Sequence, residues 1–239
     1  MATYVLVHGG GHGGWCWDRL APLLRTAGHD VRTPTLPGLA ERADELSPAI
    51  DLDAHIDDVV ALLERDDLTD VILVGHSYGG MVITGVADRA LGRIGELVYL
   101  DAAHPLDGES LRDVAPVMMD MARSAGEVVD GVELVLLPIP EAGRFYGVED
   151  DDDVAWMQEH LTPHPWRCFE QQLHLRDETA VQALPRTNIN CTAALAASEP
   201  ERRARQVAGD RSWEIDTGHD LMITEPEAVA ELLLRVAPA

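Results

Sequence analysis

An α/β fold is predicted: a mostly parallel sheet flanked by helices, with an inserted helical cap. Three observations predict it. Short apolar segments alternate with longer helical patterns through the first hundred residues, the habit of βαβ units. The alternation stops after Asp101 and resumes near Asn188, leaving about 80 residues, a stretch too long for an ordinary connection. The 239-residue length, with 46% hydrophobic and 25% charged residues, suits one large globular domain carrying an insertion.

Taken in order, Tyr4 to Val7 reads as the first strand, and Trp15 to Ala27 as a helix with Trp17, Leu20, Leu23 and Leu24 on one face. Asp30 to Thr33 is a short strand. Asp53 to Arg65 is a helix behind an Asp53 N-cap, with Ile56, Val59, Val60 and Leu63 at helical spacing. Val71 to Val74 is a four-residue apolar run between Asp70 and Gly75, the form of a strand buried on both faces. Tyr78 to Ala90 reads as helix and Leu97 to Leu100 as strand. Beyond the gap, Asn188 to Ala196 and Trp213 to Asp216 read as strands, and Pro226 to Val236 as a closing helix with Pro in its first turn. Residues 1–105 and 186–239 are therefore expected to form the core. Residues 106–185 are expected to form a cap of helices broken by Pro138, Pro140, Pro163 and Pro165. The cap carries Met118, Met119, Met121, Phe145, Tyr146, Trp156, Met157, Trp166 and Phe169, types that line apolar pockets or pack a cap onto its core.

Composition excludes several chemistries. The formal charge is −24, and all 18 basic residues are arginine. Without lysine there is no side-chain amine for a Schiff base, a pyridoxal-phosphate linkage or a P-loop. So acidic a surface repels phosphate backbones and anionic membranes, so neither nucleic acid nor membrane is expected as a partner. Apolar runs such as Leu134 to Leu137 are far short of a membrane span. The first residues lack a basic, apolar leader, which suggests a cytoplasmic protein. Cys16, Cys168 and Cys191 are widely spaced, as reduced thiols rather than a disulfide framework or zinc site.

Gly75-His76-Ser77-Tyr78-Gly79 matches G-x-S-x-G, in which small flanking residues permit a sharp strand-to-helix turn that exposes the Ser hydroxyl. A strand precedes the motif and a helix follows it. Ser77 is thus the candidate nucleophile and needs a base. In that chain order the histidine comes last, in a loop before the final helix, which picks His219. For the acid, Asp101 ends the strand Leu97 to Leu100 at the carboxyl edge of the sheet, where open α/β folds place their ligands. Glu199 is the rival, but it lies in a polar, Arg-rich run that reads as a solvated helix start. The oxyanion donors are expected to be the backbone N–H groups of Tyr78 and Gly10, the latter in the loop His8-Gly-Gly-Gly11 after the first strand.

Competing motifs are weaker. Gly9, Gly11 and Gly14 satisfy G-x-G-x-x-G, but the second strand ends Val31-Arg32-Thr33-Pro34-Thr35 without the acid a dinucleotide ribose needs. His160 and His164 are separated by Pro163, which spoils a shared helical face for a metal. The acidic run Glu149 to Asp153 reads as a solvated helix entrance rather than a calcium loop. No metal or cofactor is expected.

His8-Gly-Gly-Gly-His-Gly-Gly-Trp15, Gly75-His-Ser77-Tyr-Gly-Gly80, Val98-Tyr-Leu-Asp101 and Thr217-Gly-His219-Asp220 resemble the small α/β-hydrolase group of plant methylesterases, hydroxynitrile lyases and bacterial esterases. Similarity is greatest to bacterial esterases of the kind that cleave carbendazim, a methyl carbamate. The resemblance implies a serine esterase acting on a small neutral carboxylic ester or carbamate through an acyl-enzyme on Ser77. It also implies His12 near the substrate, and the aromatic residues Trp15 and Trp156 are expected to face the cleft with it. The lyases carry Thr where this chain has Gly9, and Lys where it has Asp220, so cyanohydrin cleavage is disfavoured. The remaining alternatives are a lyase or biosynthetic tailoring enzyme on the same scaffold, or a low-turnover small-molecule sensor. A homodimer is compatible with every one of these readings.

Overall fold

The computed structural model describes residues 1–237. Its main sheet has six strands, all parallel: β1 (Thr3–Val7), β2 (Asp30–Arg32), β3 (Val71–His76), β4 (Ile94–Leu100), β8 (Arg186–Cys191) and β9 (Arg211–Ile215). They lie in the order β2-β1-β3-β4-β8-β9. Every residue of β3 is buried, as the unbroken apolar run required, because helices cover both faces. On one face α2 (Leu52–Arg65) and α3 (Gly79–Arg89) bury Ile56, Val59, Leu63, Met81, Val82 and Val86 against Val5, Leu73 and Leu97. On the other, α1 (Ala21–Thr26) and the helix Pro226–Val236 enclose Tyr4, Leu6, Val74, Val98 and Leu100 with Leu24 and Leu233.

Three local readings need correction. The single helix expected over 15–27 is a short 3-10 turn, Gly14–Trp17, followed by α1, whose Pro22 suits a first turn. The cap of α2 is Asp51, which accepts a hydrogen bond from the Ala54 N–H, and not Asp53. The strand expected over 188–196 ends at Cys191, after which the alanine-rich Thr192–Ala197 forms a helix, consistent with its propensity.

Residues 106–185, for which the sequence predicts helices alone, hold short helices together with a small antiparallel sheet: β5 (Glu127–Val129), β6 (Val132–Val135) and β7 (His164–Pro165). Asp130-Gly131, both at positive φ, close the β5–β6 hairpin. Of the apolar cap residues, Met119, Tyr146, Met157, Trp166 and Phe169 are buried, while Met118, Met121 and Phe145 are exposed. The acidic run becomes the start of the helix Asp151–His160, capped by Asp150. All three cysteines are free and buried, and among the described residues no helix is long and apolar enough to cross a membrane.

Because β1 leads first to β2 on one side and the chain then returns to β3 on the other, the carboxyl ends of β1 and β3 flank the point where strand order reverses. That crevice is where open α/β sheets hold ligands. Here the backbones come so close that side chains are excluded. A Cβ on Gly75 would lie 2.6 Å from the Gly79 oxygen, one on Gly79 would lie 2.6 Å from the Val7 oxygen, and one on Gly80 would collide with the Ala103 oxygen. Backbone atoms cannot yield as a flexible side chain can. Gly80→Ala should therefore cost on the order of 3 kcal/mol, read as a fall in thermal midpoint, whereas Gly92→Ala, which meets nothing within 4 Å, should leave the midpoint nearly unchanged.

Candidate active site

Ser77 follows β3 with φ 53°, in the left-handed region that non-glycine residues rarely adopt. Its carbonyl accepts hydrogen bonds from the Gly80 and Ala103 N–H groups at 3.1 and 2.9 Å, which hold the turn. This is the sharp strand-to-helix corner that the glycine pattern anticipated. Asp101 also sits at positive φ, 43°, at the end of β4.

The loop before the last helix brings His219 to Asp101: His219 Nδ1 donates to Asp101 Oδ2 at 2.6 Å. The second oxygen, Oδ1, accepts from the Cys191 N–H at 3.1 Å. Burial opposes charge on both groups, yet the contact prevails. Asp101 is held below the usual carboxylate range by His219 and the Cys191 N–H, and His219 is raised by Asp101 and by the neighbouring Asp220. Glu199 lies elsewhere, exposed at the start of the helix Pro200–Val207. The His219 segment is fixed on several sides. His76 Nε2 donates to the His219 carbonyl at 3.0 Å, the Cys191 thiol donates to the Gly218 carbonyl at 2.9 Å, and the Asp220 N–H donates to the Tyr146 carbonyl at 3.1 Å.

The glycine loop after β1 lies against Ser77. A Cβ on Gly9 would sit 2.8 Å from the Ser77 Cβ and 2.9 Å from His76 Nδ1, leaving no room for the lyase threonine. Three glycines in a row are intrinsically loose, and three buried imidazoles hold them. His8 accepts from the Leu36 N–H at Nε2, so its Nδ1 carries the proton and donates to the Gly9 carbonyl at 2.9 Å. His12 Nδ1 donates to the Gly10 carbonyl at 2.8 Å, and His164 Nδ1 accepts from the Gly11 N–H at 3.2 Å. Among the described residues the N–H groups of Gly10 and Tyr78 donate to no protein acceptor. Two uncommitted backbone donors beside a serine are what an oxyanion hole requires. Leu136 and Phe169 from the cap cover Gly10, since a Cβ there would lie 2.8 Å from Leu136 Cδ1 and 2.9 Å from Phe169 Cζ.

Not every candidate faces the crevice. His12 is fully buried with both ring nitrogens engaged, the second by Asp220 at 2.9 Å, so it serves the scaffold and has no nitrogen left for a substrate. Trp15 stacks on His12 at 5.2 Å between ring centroids and meets Trp156 edge-on at 5.1 Å, at the seam between core and cap. His160 and His164 do not pair. His164 instead lies beside His55 and Cys168, their ligand atoms within 4.8 Å of one another. That trio reads as packing around Tyr78: the Tyr78 hydroxyl donates to His55 Nδ1 at 2.9 Å, and His55 Nε2 donates to the Pro37 carbonyl at 3.0 Å. Both His55 nitrogens are thereby used. Sequence reasoning missed His8, His76, His164 and Leu136, whose neighbours in space are remote in the chain.

The fold points to the class, and comparison with known proteins shows it. A family model described as the alpha/beta hydrolase family matches residues 4–232, and the chain belongs to that family. It is 39% identical over 98% of both chains to a carbendazim hydrolyzing esterase of Nocardioides sp. (strain SG-4G). It is 30% identical to the pFDCC methylesterase MES16 of Arabidopsis thaliana, over 78% of this chain and 74% of that one. Among solved structures, an extracellular alpha/beta-hydrolase from a Paenibacillus species superposes with a TM-score of 0.82 at 27% identity, covering 100% of each chain. Relatives named as esterases and methylesterases support ester hydrolysis as the chemistry of this chain.

Proposed function

We propose that the protein is a serine esterase that cleaves a small neutral carboxylic ester or carbamate through an acyl-enzyme on Ser77. The observation that carries this reading is the 2.6 Å contact between His219 and buried Asp101 beside a serine in a strained turn. His219 takes the Ser77 proton as the hydroxyl attacks the carbonyl, then returns it to the leaving alcohol. Asp101 fixes the imidazole with its proton on Nδ1 and stabilises the imidazolium. The N–H groups of Gly10 and Tyr78 receive the developing oxyanion. Water then repeats the sequence on the acyl group and releases the acid.

The first substrate to test is a methyl carbamate, because the 39% identical relative is named for hydrolysing carbendazim. The formal charge of −24 favours neutral substrates over anions at low salt. A neutral p-nitrophenyl ester should therefore show a higher kcat/KM than an anionic homologue of equal length, and the gap should narrow as salt shortens the screening length. Equal values at low salt would contradict the substrate class.

The base must be neutral to act, and Asp101 and Asp220 raise the His219 pKa. Acidification protonates it, so kcat/KM should fall on the acid side with a midpoint above the ordinary histidine value of about 6.5. A pH profile with its midpoint well below that value would exclude His219 in this environment as the base.

A further inference from the structure

Asp220, directly after the candidate base, is fully buried in a chain whose other acids are mostly solvated. Its Oδ2 lies 2.9 Å from His12 Nε2, while the other ring nitrogen, Nδ1, lies 2.8 Å from the Gly10 carbonyl oxygen. His12 thereby bridges the glycine loop and the residue after the candidate base, one through each ring nitrogen. The other groups facing Asp220 cannot replace this donor. His76 Nε2 stands 3.6 Å from Asp220 Oδ1 but gives its proton to the His219 carbonyl at 3.0 Å. His219 is committed to Asp101 through Nδ1, Tyr146 offers its backbone carbonyl to the Asp220 N–H, and Cys191 gives its thiol proton to Gly218. Cys16 also feels the Asp220 charge, and burial together with that charge keeps its thiol protonated.

We infer that the buried His12–Asp220 hydrogen bond clamps the oxyanion loop to the His219 loop, making both positioning residues for catalysis. One end of the pair holds the carbonyl of Gly10, whose N–H is the proposed oxyanion donor. The other belongs to the residue next to the base. Neither side chain touches the reacting atoms. The pair fixes the spacing between a flexible triglycine and an imidazole that must act on the same carbonyl, which is the preorganisation that oxyanion stabilisation depends on. A lysine after the base, as in the lyase-like pattern, would remove the carboxylate that His12 meets and could not hold this clamp.

The inference rests on the esterase reading for its catalytic role, but the pair itself can be observed without turnover. In wild-type protein carrying 15N-labelled histidine, both His12 ring nitrogens should show hydrogen-bonded shifts, and Asp220→Asn should move the Nε2 shift while leaving that of Nδ1 in place. A His12 Nε2 shift unchanged in Asp220→Asn would overturn the proposal. The kcat for p-nitrophenyl butyrate should drop about 10- to 100-fold, the range seen when outer-shell partners are removed from metal sites. KM should change by less than about twofold, as expected for a contact realised in the transition state. The acid limb of kcat/KM should move to lower pH, because a carboxylate beside His219 has gone. His12→Gln combined with Asp220→Asn should be no worse than either single change. A folded Asp220→Asn with wild-type kcat, or a loss confined to KM, would also overturn it. Should wild-type protein turn over no ester at all, the esterase reading fails, and the nitrogen shifts still decide the pair.

Discussion

Ser77→Ala is expected to lower kcat for p-nitrophenyl butyrate by on the order of 10⁴ to 10⁶ while leaving the fold intact, the loss seen when a serine-hydrolase nucleophile is removed. At 25 °C that corresponds to about 5 to 8 kcal/mol of transition-state stabilisation. The turn places Ser77 at φ 53°, Gly9 leaves space against its Cβ, and among the described residues the N–H groups of Gly10 and Tyr78 donate to no protein acceptor. Alanine keeps the Cβ and therefore the backbone strain, so the thermal midpoint should stay within a degree or two. The residual rate in the variant should still exceed the rate in buffer, because the oxyanion donors and substrate binding survive. Circular dichroism together with initial rates separates loss of chemistry from loss of structure.

Asp101→Asn is expected to have the next largest effect, a fall in kcat of about 10⁴ with little change in KM. An amide can still contact His219 Nδ1, but it no longer stabilises the imidazolium, and it can reverse the hydrogen bond by donating to the imidazole and imposing the wrong tautomer. His219 loses the charge that raises its pKa, so the acid limb of the pH profile should also shift to lower pH. Glu199→Gln should change kcat by less than twofold, because that side chain is solvated at a helix start away from His219. The opposite ranking of the two variants would transfer the role of the acid to Glu199. Stability should fall in Asp101→Asn as well. The carboxylate is held below its unfolded pKa by its partners, so it stabilises the fold above that unfolded value, and the contribution is lost as pH falls through the folded pKa.

Much of this architecture is legible in the sequence because local pattern and tertiary role coincide. Val71 to Val74 must be buried on both faces, and the glycines around Ser77 are required by backbone approaches under 3 Å. His219 follows from chain order. The acid is harder to read, since Asp101 and Glu199 both follow strands and only the folded loop shows which carboxylate meets the imidazole. The place of His12 is hard to read for a similar reason. A histidine beside a glycine loop suggests a substrate contact, and nothing local reveals a carboxylate 208 positions away that engages its second nitrogen. The small cap sheet is a different case. Val128-Val129-Asp130-Gly131-Val132 carries the Asp-Gly hairpin signature, a local signal obscured by proline spacing that suggested broken helices. Leu136 and Phe169 above Gly10 carry no signature of their own, because their place is set by how the cap docks.

A serine esterase of this kind passes through a covalent intermediate at one residue, which rapid-quench mass spectrometry with p-nitrophenyl butyrate observes directly. The expected result is a burst of p-nitrophenol approaching one equivalent, with a single butyryl group on the peptide containing Ser77 and none in Ser77→Ala. Steady turnover with no acylated peptide, or acylation at Cys191 or any other residue in place of Ser77, would contradict it.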